Sequence, residues 1–93
     1  MTLETIRTGK RSTILARARL HGASNVRVFV LGENGHGSDV DFLVDLGAGR
    51  DRYDLGALQA GLRELLSTSV DLVEATCLHP YIREQVLAES VPL

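Results

Sequence analysis

Gly37-Ser38-Asp39-Val40-Asp41-Phe42-Leu43-Val44-Asp45 decides how the rest of the chain reads. Side chains on a β-strand alternate between its faces, so Val40, Phe42 and Val44 would share one side and Asp39 and Asp41 the other. The apolar side packs on a core, and two carboxylates then meet at the exposed start of the strand. Like charges so close repel unless a cation lies between them. The expected guest is a divalent metal, because Mg²⁺ takes oxygen ligands from one or two carboxylates together with substrate phosphates. Asp45 has the same parity but lies six residues beyond Asp39. At about 3.3 Å per residue that is about 20 Å, too far to share the metal.

Working outward, Val26-Arg27-Val28-Phe29-Val30-Leu31 is a β-branched, apolar run suited to a buried strand. Gly32-Glu33-Asn34-Gly35-His36-Gly37 follows as a loop. Residues 2–21 have helical spacing through Ile14, Leu15 and Ala18, with a break at Gly9 and a stop at Gly22. Past the second strand (residues 39–46), Gly47-Ala48-Gly49-Arg50-Asp51-Arg52 is a second loop. Asp54 is the expected N-cap of a helix through Leu66, striped by Leu55, Leu58, Leu62 and Leu65. Ser69-Val70-Asp71-Leu72-Val73 reads as a third strand, and His79-Pro80 opens a last helix anchored by Ile82, Val86 and Leu87. The order α-β-β-α-β-α is that of an α/β (α+β) fold, a small mixed sheet flanked by helices. Asp71 is the one acid of the third strand as bounded here. If that strand lies beside the second, Asp39, Asp41 and Asp71 form a three-carboxylate cluster. Such clusters hold two metal ions about 3.5–4 Å apart for in-line phosphoryl or nucleotidyl transfer. One ion activates the attacking oxygen, and the other neutralises the leaving pyrophosphate.

Composition sets the limits. A chain of 93 residues is expected to be one domain, residues 1–93, with a thin core. It is 44% hydrophobic and 24% charged, with no apolar run long enough to span a bilayer and no signal-peptide pattern. Its one cysteine, Cys77, can make no internal disulfide, which points to a reducing, cytoplasmic setting. The net charge of −2 hides an asymmetry: residues 1–27 carry +5 and residues 28–93 carry −7. The basic segment is either a solvated helix face or a surface for phosphates or an acidic partner. The chain is not basic enough overall to read as a dedicated nucleic-acid binder.

Val26-Arg27-Val28-Phe29, then Ser38-Asp39-Val40-Asp41 with its apolar strand, then Val70-Asp71-Leu72-Val73 fall in the order that defines a known family. The chain resembles the minimal nucleotidyltransferases of the DNA polymerase β superfamily, over nearly its whole length. The resemblance implies a polymerase β palm-like core, Mg²⁺ as cofactor and ATP as substrate. It implies a partner of the HEPN toxin class, neutralised by transfer of AMP in a HEPN/MNT toxin–antitoxin pair. It assigns Asp39, Asp41 and Asp71 as metal ligands and catalytic residues. Asp71 would also assist deprotonation of the acceptor hydroxyl, and Ser38 would shape the turn.

One departure stands out. After Phe29 the family carries a Gly-Ser pair leading to Arg-Gly, where backbone amides and a hydroxyl approach the triphosphate. This chain has Val30-Leu31-Gly32, about three residues fewer, with neither the Gly-Ser nor the arginine. Gly32, Gly35 and Gly37, with Ser38, are the candidates for a substitute nucleotide cradle, since glycine backbone lets a phosphate come close. The loop is not a P-loop, because it lacks Gly-Lys-Ser/Thr. The alternative is a pseudoenzyme that neutralises its toxin by binding alone. Elsewhere, His36 reads as a solvated loop residue, Cys77 as a structural thiol, and Arg27 as a phosphate ligand or an edge salt bridge. Tyr53 and Tyr81 read as interface anchors.

Overall fold

Alternating apolar residues on three neighbouring strands set one face of the sheet against two helices. The computed structural model of the chain describes residues 3–30 and 40–93. A short helix α1 (Leu3–Thr5) runs through a π-helical turn (Ile6–Lys10) into α2 (Arg11–Leu20). The strand β1 (Ala23–Val30), the strand β2 (Val40–Leu46) and the helix α3 (Arg52–Leu66) follow. Then come the strand β3 (Val70–Glu74), a 3₁₀ turn (Ala75–Cys77), the helix α4 (Pro80–Glu89) and a two-residue strand β4 (Val91–Pro92). The sheet order is β3-β2-β1-β4, with β1 antiparallel to β2 and β4 and β2 parallel to β3. The mixed sheet flanked by helices is therefore as the sequence predicts.

The core lies on one side of the sheet. Val26, Val28, Val40, Phe42, Val44, Val70 and Leu72 meet Ile6, Ile14 and Ala18 from the N-terminal helices and Leu58, Leu62 and Leu66 from α3. The break expected at Gly9 is the π-helical turn, which still seats Ile6 in the core. Gly22 ends α2 with φ +74°, a conformation that costs glycine little.

The structure moves several expected boundaries. The N-cap of α3 is Asp51, not Asp54. The Asp51 carboxylate accepts from the Tyr53 N–H, and Asp54, at the third helical position, accepts from the Asp51 N–H in a capping box. β3 extends to Glu74, so Asp71 is not its only acid. Ile82 is 53% exposed and anchors nothing, while Val86 and Leu87 are half-buried. Cys77 is exposed, and its thiol donates to Glu74 Oε1 at 3.6 Å instead of filling a core position. β4 was not foreseen. It places β1 inside the sheet, so Arg27 sits on an interior strand.

Candidate active site

Parallel pairing of β2 with β3 sets Asp41 opposite Asp71 in register, with Leu43 opposite Val73 on the same face. Adjacent strands lie about 4.8 Å apart, which makes the two aspartates side-by-side neighbours. The start of this pairing is fixed on both sides. The Val40 N–H donates to the Ser69 carbonyl at 3.2 Å, one residue before Asp41 and two before Asp71. On the outer edge of β3, Gln59 Nε2 and Arg63 Nε both donate to the Val70 carbonyl, at 2.8 and 3.3 Å. These bonds tie α3 to the sheet edge and occupy an acceptor that could otherwise pair with another strand.

The alternation read from the sequence holds for β2: Val40, Phe42 and Val44 are in the core, and Asp41 is on the opposite face. Asp41 is half-buried and Asp71 is exposed. Asp41 Oδ2 is shut off from solvent and finds no hydrogen-bond partner among the described residues. Burial first, and the Asp71 charge second, push the Asp41 carboxyl up to about 6. An orphaned carboxylate oxygen beside a second carboxylate is a site short of positive charge. The donor set is all oxygen, which fits a hard divalent cation.

Among the described residues no three His, Cys, Asp or Glu side chains converge. Asp39, Gly32, Gly35, Gly37, Ser38 and His36 lie outside the described residues, so the structure brings together Asp41 and Asp71 alone of the expected cluster. Asp45 faces the same way as Asp41 but is held elsewhere, accepting from Asn25 Nδ2 at 2.8 Å.

Arg27 makes no edge salt bridge among the described residues. Its Nε donates to Ser90 Oγ at 2.7 Å, and its Nη2 donates to the carbonyls of Leu87 and Ser90 at 2.9 and 3.1 Å. It thereby fastens the C-terminal end of α4 across the face that carries Asp41. Leu78 and Val86 line a small cavity there together with Asp41, Leu43 and Val73. Sequence reasoning also missed the capping role of His79, whose Nδ1 accepts from the Tyr81 N–H at 3.2 Å while the two rings stack at 5.6 Å. The signal for it was present in His79-Pro80, a polar residue just before a helix-opening proline.

A sheet that seats aspartates side by side on parallel strands, its other face packed on helices, defines a nucleotidyltransferase-like α/β core. Sequence comparison agrees: the model of the nucleotidyltransferase domain family matches residues 29–93, and the chain belongs to that family. It is 32% identical over 74 residues to a Methanocaldococcus jannaschii protein named "Putative protein adenylyltransferase", covering 76% of this chain and 80% of that one. It is 43% identical, with a TM-score of 0.83, to a solved structure described as a "putative minimal nucleotidyltransferase", covering 100% of this chain and 97% of that one. A chain of the toxin–antitoxin complex MntA–HpeT, in a mutant form, shares the fold with a TM-score of 0.69 at 18% identity. That match covers 88% of this chain and 70% of the other. Among the described residues no helix is long and apolar enough to cross a membrane.

Proposed function

We propose that the chain transfers AMP from ATP to a hydroxyl of a protein partner, a toxin of the HEPN class, and so neutralises it. The observation that carries this reading is the in-register pair Asp41–Asp71 with its orphaned Asp41 oxygen. The likeness to a protein named for adenylyl transfer to protein supports the substrate class. The toxin–antitoxin complex that shares the fold suggests the kind of partner.

In this reading Asp39 and Asp41 hold Mg²⁺ together with Asp71. A bound divalent ion supplies positive charge against the phosphate oxygens and the departing pyrophosphate. The acceptor oxygen bonds to the α-phosphorus, the bond to the β-phosphate breaks, and pyrophosphate leaves. Asp71, exposed on β3, accepts the proton of the acceptor hydroxyl. Asp41, less accessible, keeps its negative charge toward the cation. Gly32, Gly35, Gly37 and Ser38 cradle the triphosphate in place of the family's Gly-Ser.

The sequence Val30-Leu31, which offers no such hydroxyl, favours a second reading: a pseudoenzyme that silences its partner by masking it. Incubation with α-labelled ATP, Mg²⁺ and the protein encoded by the adjacent gene separates the two. Label on the partner, lost in Asp41→Ala and Asp71→Ala, is expected for transfer. Tight association that leaves the partner unlabelled overturns transfer in favour of masking.

A further inference from the structure

A cavity of about 340 Å³ lies between the sheet and α4, lined by Asn25, Leu43, Asp45, Thr76, Arg83 and Leu87 among others. It is separate from the Asp41–Asp71 pair. Leu43 stands between Asp41 and Asp45 on β2 and is buried at 2% exposure. Asp45 is half-buried on the sheet floor, and its one hydrogen bond among the described residues is from Asn25. Arg83 lies on α4 and is exposed; its guanidinium makes no ion pair or hydrogen bond among the described residues. The cavity thus holds one carboxylate and two guanidiniums: Arg27 is engaged by Ser90 and Leu87, while Asp45 and Arg83, on opposite elements, do not meet each other. Asn25 is in the left-handed region at φ 51°, at the irregularity in pairing between Ser24 and Arg27. Asn enters this region more readily than most residues, and its side chain here bonds to Asp45.

We infer that this cavity binds a guanine nucleotide, with the base on Asp45 and the phosphate on Arg83. The adjacent N1–H and exocyclic amine of guanine are two parallel donors that match the two oxygens of a carboxylate. Each carboxylate oxygen has two lone pairs, so the Asn25 bond to Asp45 Oδ2 leaves room for both. Asn25, with its amide nitrogen engaged by Asp45, keeps its carbonyl oxygen as a further acceptor. Leu43 and Leu87 offer apolar surface to the flat ring. At the rim, the Arg83 guanidinium and the Thr76 hydroxyl suit a phosphate. Adenine is rejected because its N1 lone pair would face the carboxylate. The volume falls in the usual range of small-molecule sites, about 300–1,000 Å³, and a free amino acid would leave most of it empty.

The inference does not rest on nucleotidyl transfer, and guanosine monophosphate, which has no pyrophosphate to lose, probes it directly. Calorimetric titration of the full chain with GMP is expected to show one site, with AMP at least about tenfold weaker. Asp45→Asn is isosteric, and it should weaken GMP about tenfold while improving xanthosine monophosphate, whose carbonyl replaces the exocyclic amine. Arg83→Ala should weaken GMP without changing the preference between bases. Asp71→Asn should leave GMP binding intact, which separates this site from the carboxylate pair. Equal affinity for GMP and AMP, dependence on Asp71, or no binding to a chain whose unfolding curve is normal overturns the inference.

Discussion

Asp41 and Asp71 stand in register across two parallel strands, yet they are not equivalent: one is half-buried with an oxygen that finds no partner among the described residues, the other is open to solvent. The sheet spends stability to keep Asp41 where it is. Its carboxyl titrates near 6 in the folded chain against an ordinary value of 3.8. Between those values the folded chain holds more protons than the unfolded one, so this group's contribution to stability falls as pH rises through that window.

Asp41→Asn removes that charge at constant shape. In chelator-treated protein at pH 7.5 the variant should unfold at a higher temperature than the parent, and the difference should vanish near pH 4. The partial exposure of the group leaves the gain at ~1 kcal/mol after screening, or about 5 °C. The same variant should lose transfer activity, a trade common where a site is held in a strained state. Melting curves at both pH values check it, and an Asn variant less stable than the parent at pH 7.5 would contradict the geometry.

Divalent cations should show the mirror image. In the proposed reading Mg²⁺ binds the ionised pair, so its affinity should drop as pH falls through about 6, where Asp41 takes up a proton. Titration of the chain with Mg²⁺ at pH 7.5 and pH 5 reads this directly. At saturating metal the parent should also gain unfolding temperature that Asp41→Asn does not. Equal affinity at the two pH values would show that Asp41 is not a ligand.

Arg27 is a structural clamp, and its loss should be felt at α4. No residue of α4 is fully buried, so three hydrogen bonds from one guanidinium are a large share of what holds that helix down. Arg27→Ala should cost about 2 kcal/mol, near 10 °C in unfolding temperature. Amide exchange should accelerate in residues 80–92 more than in α3. Arg27→Lys keeps the charge but not the fork, and should recover only a fraction. Unchanged exchange in α4 would show that its apolar contacts suffice.

The carboxylate strand was legible because its two signals, alternation and a doubled acid, are local and agree. The third strand was legible from its short apolar run around a single acid, and placing Asp71 beside Asp41 needed only the choice of neighbour. Arg27 could not be read in this way. Its partners are a carbonyl, a hydroxyl and a second carbonyl some sixty residues away, and no local pattern encodes them. β4 is two residues long and contains a proline, so it carries no strand signal at all. The N-cap of α3 was misplaced by three residues because Asp51 and Asp54 both belong to one capping box, and each alone resembles a cap. The exposure of Cys77 was hidden because a lone thiol has no periodic partner that would fix its side of the chain.

Gly22 offers a last test, of how the two halves of the sheet's closed end are joined. Its carbonyl accepts from the Gly47 N–H at 2.8 Å, linking the turn after α2 to the turn after β2. The Arg50 side chain lies across it: a Cβ at Gly22 would sit 2.5 Å from Arg50 Nε and 2.7 Å from its Cγ. Gly22→Ala therefore incurs two separable costs, the left-handed backbone at φ +74° and displacement of Arg50 from its 3.1 Å pair with Asp54. The pair is exposed and worth little, so the backbone should dominate, at about 1 kcal/mol. A double-mutant cycle with Arg50→Ala separates the two. Most of the loss should persist in the double variant; complete rescue by Arg50→Ala would show that the clash, not the backbone, sets the requirement for glycine.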